Sequence, residues 1–234
     1  MRFRTNWLDV TYERLFARPS FELAASPVTV LRALHEAISP RYPLGSVDLS
    51  VEAGRSVADV RVKAALFDGN GAIEVTADGF KGAFTNPIGP GALEKVKDCL
   101  ALGLDAVQSA LPNLTLALGS ITARYFVELI DKPQDAHTYL RELMANTTPQ
   151  IIAEGQDVEV VPGLKVDLMN SAEKWSFSFQ LERAVRSRTE LFSICASQYQ
   201  TDGMFCSIDE QAKHHVEFTS RCLSRIGLVS ESQP

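Results

Sequence analysis

Four histidines and four cysteines are the side chains in this sequence best able to do chemistry, so their spacing is weighed first. His214, His215 and Glu217 fall close together near the C-terminus. At helical spacing, His214 and Glu217 share a face and could supply two corners of a metal site. A protein-held zinc needs at least three ligands, and no further Cys or Asp is spaced to complete the set, so no metal is expected. His215 lies on the apolar stripe of its segment and reads as a packed histidine. His137 with Tyr139, and His35 beside Arg32 and Glu36, read as solvated helix faces. Acid–base work requires a partner within hydrogen-bond reach, and no pattern supplies one.

Cys99, Cys195, Cys206 and Cys222 form no C-x-x-C pair and are expected as free thiols in a reducing cytoplasm. Cys206 directly precedes a helix start, where free N–H groups favour a thiolate, although Phe205 beside it points to a packed role. The loop from Asn86 to Gly91 has glycines at a helix start but lacks the G-K-[ST] ending of a phosphate loop. Asp68-Gly-Asn-Gly is a hairpin turn rather than a nucleotide fingerprint, because a strand follows it. No catalytic residue and no cofactor emerges from these patterns.

The elements that would carry these residues are easier to read. Leu93, Val96, Leu100, Leu104, Val107 and Leu111 recur at steps of three and four, which predicts a long amphipathic helix entered at Pro90 and stopped by Pro112. A second helix closes the chain. Ser207 and Glu210 have capping-box spacing, a stripe through Ala212, His215, Val216, Thr219, Cys222, Leu223 and Ile226 follows, and Gly227 ends it.

Before the first long helix the pattern predicts a strand over 7–16, a short extended piece over 21–23, and a helix opening at Ser26-Pro27. Three strands follow, over 46–53, 56–67 and 72–85, the last with a bulge at Gly79. The order then repeats: a strand over 114–130, a short helix capped by Asp131, and an extended stretch over 149–169. Strands over 174–185 and 190–199 precede the final helix. Alternation predicts Ser176, Ser178, Gln180, Ser193, Ser197 and Tyr199 on an open polar face. The fold class expected is α+β: two internally duplicated units, residues 1–112 and 113–234, in one globular body. Each unit is a strand, a short helix, a three-strand meander and a long helix, with helices on one face of antiparallel sheet.

This layout resembles, in topology alone, the duplicated saddle of the TATA-box-binding protein and the helix-grip folds, in which a sheet wraps a long C-terminal helix. The resemblance carries no shared motif. A DNA saddle needs a basic, aromatic open face, whereas the face expected here carries Asp48, Glu52, Asp59, Glu74 and Asp78 beside Arg61 and Lys63.

Composition narrows the function classes. With 45% hydrophobic residues the chain can bury a core, and a formal charge of -6 argues against general binding to nucleic acid or anionic membrane. The start alternates polar and apolar residues, unlike a signal peptide, and no apolar run is long enough to span a bilayer. The expectation is a cytoplasmic, non-enzymatic interaction or assembly module with a protein partner or a second copy of itself. Phe218, His214, Arg221, Arg225 and Tyr199 are the interface candidates. The alternatives are a small-molecule carrier or sensor with a cavity between sheet and helix, and an enzyme with a dispersed site.

Overall fold

The computed structural model describes residues 1–87, 89, 91–131, 136–144, 163–185, 187 and 189–231, and the side chains of His137 and Met144 lie outside that set. Among the described residues, five α-helices accompany a ten-stranded sheet, so the fold is mixed α+β with the sheet dominant.

The chain opens with β1 (Arg2–Phe16), five residues longer at its start than the alternation predicts. Two helices follow, α1 (Phe21–Ala25) and α2 (Pro27–Ile38). Phe21–Leu23 was expected to be extended, yet the Ser20 hydroxyl accepts from the Leu23 N–H and so nucleates a helical turn. Helix α2 buries Val30, Leu34 and Ile38.

Strand β2 is only Leu49–Glu52, because Ser46–Asp48 is a 3₁₀ turn. The Asp48 carboxylate accepts from the Gly45 N–H at 2.8 Å, and Val47 is 92% exposed. Strand β3 (Arg61–Leu66) is shortened the same way, since Asp59 accepts from the Ser56 N–H and closes a turn over Val57–Asp59. Asp48 and Asp59 are therefore turn-closing side chains, not members of a sheet face.

The expected strand over 72–85 is two strands, β4 (Gly71–Thr76) and β5 (Gly79–Thr85), reversed at Ala77–Asp78. Gly79 is no bulge. It leaves the turn where a Cβ would stand 2.8 Å from the Arg14 carbonyl oxygen of the neighbouring strand, so the meander has four strands. The β3–β4 turn holds Phe67, Asp68 and Gly69 at positive φ.

Helix α3 (Ala92–Ala110) follows, its N-cap Gly91 left-handed at φ 71. It buries Val96, Leu100, Leu104 and Val107 as the stripe predicts, but Leu93 is exposed. A second narrow face of Cys99, Gly103 and Ala106 is also buried. A Cβ on Gly103 would stand 2.8 Å from the Ile73 side chain, which sets how closely α3 approaches β4.

Next come β6 (Leu116–Leu129), α4 (Ala136–Met144), β7 (Gly163–Asn170), β8 (Trp175–Arg183) and β9 (Glu190–Gln200). Asp131 accepts from the backbone N–H and the guanidinium of Arg2, and residues 132–135, where it was expected to cap the short helix, lie outside the described residues. Of the extended stretch expected over 149–169, residues 149–162 lie outside the described residues. Helix α5 (Ile208–Arg225) carries the capping box at Ser207 and Glu210, and Gly227 follows it at φ 81. The tail then forms β10 (Val229–Ser230), which pairs in parallel with β1 and was not foreseen.

The strand order is β2-β3-β4-β5-β1-β6-β9-β8-β7. Its centre is the antiparallel β1–β6 pair, in register from Phe3↔Leu129 to Phe16↔Leu116, with irregularities at Thr5/Trp7 and Leu15/Phe16. Reading outward, β1 meets the last strand of the first meander, and β6 meets β9, the last strand before α5.

Alternate strand residues enter two apolar clusters. One joins Tyr12, Val62, Ile73 and Phe80 to Leu34, Leu100 and Val107 of α2 and α3. The other joins Val127, Phe177, Phe179 and Leu181 to Leu140 of α4 and Leu223 of α5. Each fully buried Leu, Ile or Phe contributes roughly 1.5–3 kcal/mol. Overpacking the α3 approach should therefore be costly. Gly103→Val is expected to lower stability by about 1–3 kcal/mol, read as a reduced urea midpoint with an unchanged slope.

Candidate functional site

Strand β9 has a polar parity, Ser193-Cys195-Ser197-Tyr199, and an apolar one, Phe192-Ile194-Ala196. The expectation put the polar set in solvent. The structure reverses it: Ser193 and Ser197 are 0% exposed and Tyr199 is 1% exposed, while Phe192, Ile194 and Ala196 are only partly buried.

The reason is α5, which brings polar partners to the inner side of β9. Ser197 Oγ lies 2.6 Å from His215 Nδ1. The Tyr199 hydroxyl donates to the Gln211 carbonyl at 3.0 Å and lies 3.1 Å from His214 Nδ1. Ser193 donates to the Gln180 carbonyl, and Tyr125 donates to Cys195 Sγ at 2.7 Å. A buried polar side chain is tolerated once its hydrogen bonds are made; α5 supplies those of Ser197 and Tyr199, and the neighbouring strands supply those of Ser193 and Cys195.

This geometry revises the interface candidates. Tyr199 and His214 are buried, and neither presents a surface. Phe218 is half-buried and packed, its ring 5.0 Å from Trp175, 5.6 Å from Phe177 and 4.5 Å from His214. Arg221 is exposed, with its guanidinium carbon 5.3 Å from the Phe218 ring centre, and it pairs with Glu217. Arg225 is exposed near the end of α5. The candidates thus share one helix and one aromatic cluster, but that cluster is largely internal.

The His214–Glu217 metal pair does not converge either: the ring turns to Tyr199 and the carboxylate to Arg221. Among the described residues, no group of three or more His, Cys, Asp and Glu is placed to hold a metal ion. Tyr139 donates to the Ile226 carbonyl at 2.6 Å, and the His137 side chain lies outside the described residues.

Burial pushes the Cys99 thiol up to about 12, and it raises Cys195 and Cys222 as well. These thiols stay protonated and unreactive at neutral pH. Cys206 is exposed, its thiol 3.1 Å from the Gly203 carbonyl, and its N–H is taken by the Glu210 carboxylate.

Tyr12 and Arg14 point inward from β1, and Arg14 reaches Gly119 of β6 beside Gln211 of α5. Arg14 is 3% exposed, and its Nη2 donates to the Cys206 carbonyl at 2.9 Å. Gln211 is 0% exposed and donates Nε2 to the Phe205 carbonyl. Tyr12 Oη, Arg14 Nε and Nη1, Gln211 Oε1 and His215 Nε2 are buried without a hydrogen-bond partner among the described residues. The legible signal was parity, since Arg14 continues the inward series Leu8, Val10, Tyr12 and a cation there is out of place.

No known family model matches the chain, and no curated protein matches it. No helix among the described residues is long and apolar enough to cross a membrane.

Burial drops His215 from an ordinary 6.5 to about 4, aided by neighbouring His214, which is itself lowered by burial. Both rings are neutral in the fold, and the unfolded chain binds more protons below pH 6.5. Stability should therefore be full above pH 6.5 and fall as pH drops toward 4, by up to about 3 kcal/mol from His215. The carboxylates of Asp98, Glu128, Asp131 and Glu210 are held below their ordinary values by hydrogen bonds and ion pairs, so their loss comes at lower pH. Urea titrations from pH 7 to 4.5 should show this slope, reduced in His215→Asn. A flat profile would mean that the ring is hydrated in the fold.

Proposed function

We propose that this chain is a non-enzymatic assembly module that pairs with a second copy of itself through the outer side of the β1–β6–β9 strands. The observation behind the reading is a cross-strand row. Trp7 stands opposite Phe126, and Phe126 stands opposite Phe192, with the last two rings 5.1 Å apart. Ile194 and Ala196 extend the row along β9. Cross-strand aromatic pairs stabilise a sheet, and a partly exposed aromatic row also suits the apolar centre of an interface.

The surrounding charges favour a second copy over a strongly charged partner. Both signs are interspersed on this side: Glu13 with Lys81 at 2.9 Å, Glu74 with Arg61 at 3.6 Å, and Asp9 opposite Arg124. A mixed-sign face can meet its own two-fold image with charges complementary, and it offers no basic track for a nucleic-acid backbone.

We further infer that residues 1–112 and 113–234 are two copies of one unit. Supporting this are the shared order of strand, helix, meander and long helix and the outward strand order from β1 and β6. A duplicated unit would give the module an internal pseudo-two-fold axis between β1 and β6. On this reading the chain works in the cytoplasm without cofactor or metal.

Light scattering of the wild type and of Phe192→Glu tests the assembly. The wild type is expected as a dimer, and the substitution should give a monomer with an unchanged circular dichroism spectrum. A wild-type monomer, or a dimer that survives Phe192→Glu, would remove this face as the interface.

A further inference from the structure

The buried polar groups beneath α5 carry a second, independent reading. A guanidinium cannot lose its proton in a protein, so Arg14 brings a permanent charge into the interior. The described residues offer it a single neutral carbonyl, that of Cys206. Burying a charge with so few partners is costly, and native structures compensate with a counter-charge or a bound group.

The neighbours define what that group must be. Gly119 is paired with Arg14 across β1–β6 and with Tyr199 across β6–β9, so it sits in the middle of the cross-sheet row beneath Gln211. A Cβ on Gly119 would collide with Arg14 Nη1 and come within 2.9 Å of Gln211 Oε1. The two unpartnered atoms thus converge on one point from opposite elements, one a charged donor and the other an acceptor. Gln211 cannot turn its oxygen elsewhere, because its Nε2 is committed to the Phe205 carbonyl. Tyr12, two residues before Arg14 on the same side of β1, adds an unpartnered hydroxyl.

We propose that Arg14, Tyr12 and Gln211 form a binding site for a small carboxylate that also bears a hydroxyl or amino donor. The carboxylate takes free N–H donors of Arg14 and the Tyr12 hydroxyl, in charge-assisted hydrogen bonds. The ligand's own O–H or N–H donates to Gln211 Oε1. An anion without a donor, such as chloride, satisfies the guanidinium but leaves the glutamine oxygen unpaired, and a neutral donor does the reverse. The site joins β1, from the first part of the chain, to α5 at its end, so a bound ligand ties the two together.

The test is thermal unfolding of the full chain with lactate, glycine, acetate or chloride at matched ionic strength. Lactate or glycine should raise Tm progressively with the logarithm of concentration, acetate should do so less, and chloride should not. Arg14→Met should abolish the response, and Gln211→Leu should reduce lactate and glycine to the level of acetate. Equal shifts for all four solutes, or a response that persists in folded Arg14→Met, would overturn the site. If Arg14→Met does not fold, the Arg14 Nε–H resonance of the wild type decides. Its selective displacement on titration with lactate or glycine supports the proposal, and its constancy refutes it.

Discussion

The structure hangs on the antiparallel pairing of β1 with β6. These are the two longest strands, at 15 and 14 residues, and they lie at the centre of the sheet. Every other strand reaches the core through one of them, β5 and β10 through β1 and β9 through β6. The pairing joins residues a hundred or more positions apart, so its loop-closure entropy is paid late and a long register has to repay it. The chain ends reinforce the same strand, since the Met1 ammonium donates to the Gly227 carbonyl and β10 runs beside β1.

Over this central pair the protein buries polar groups as well as hydrocarbon. On the side of α2 and α3 the interior is apolar, and packing distance is set by small residues such as Gly103 and Gly82, where a Cβ would collide with Leu100. Under α5 the interior holds Ser193, Ser197, Tyr199, Gln211, His214, His215 and Arg14. Such a network is sensitive in both directions, specifying one seating of the helix when satisfied and weakening it when a partner is missing. The low proton affinity of His215 and the unpartnered atoms around Arg14 arise from the same desolvation.

Part of the fold was legible because local chemistry decided it. The capping box at Ser207–Glu210, the turn after Phe67 and the α3 stripe from Val96 to Val107 all rest on contacts within a few residues. Failures came where a side chain competed with the strand. Asp48 and Asp59 each captured a nearby backbone N–H and turned predicted strand into 3₁₀ turn. Thr76 and Gly79 made a reversal out of an expected bulge.

The candidate site was much less legible. For β9, alternation correctly separated Ser193, Ser197 and Tyr199 from Phe192, Ile194 and Ala196, but hydrophobicity named the wrong set as buried. Sequence alone determined periodicity, caps and turns, because these depend on covalent spacing and on backbone groups close by. Only the tertiary structure decided which parity faces inward and which polar groups meet there. A serine or tyrosine is inside or outside according to whether a distant element supplies its hydrogen bond. In this protein α5 supplies those bonds to Ser197 and Tyr199, and β8 supplies that of Ser193, so the polar parity of β9 is buried and its aromatic parity is left toward the outside.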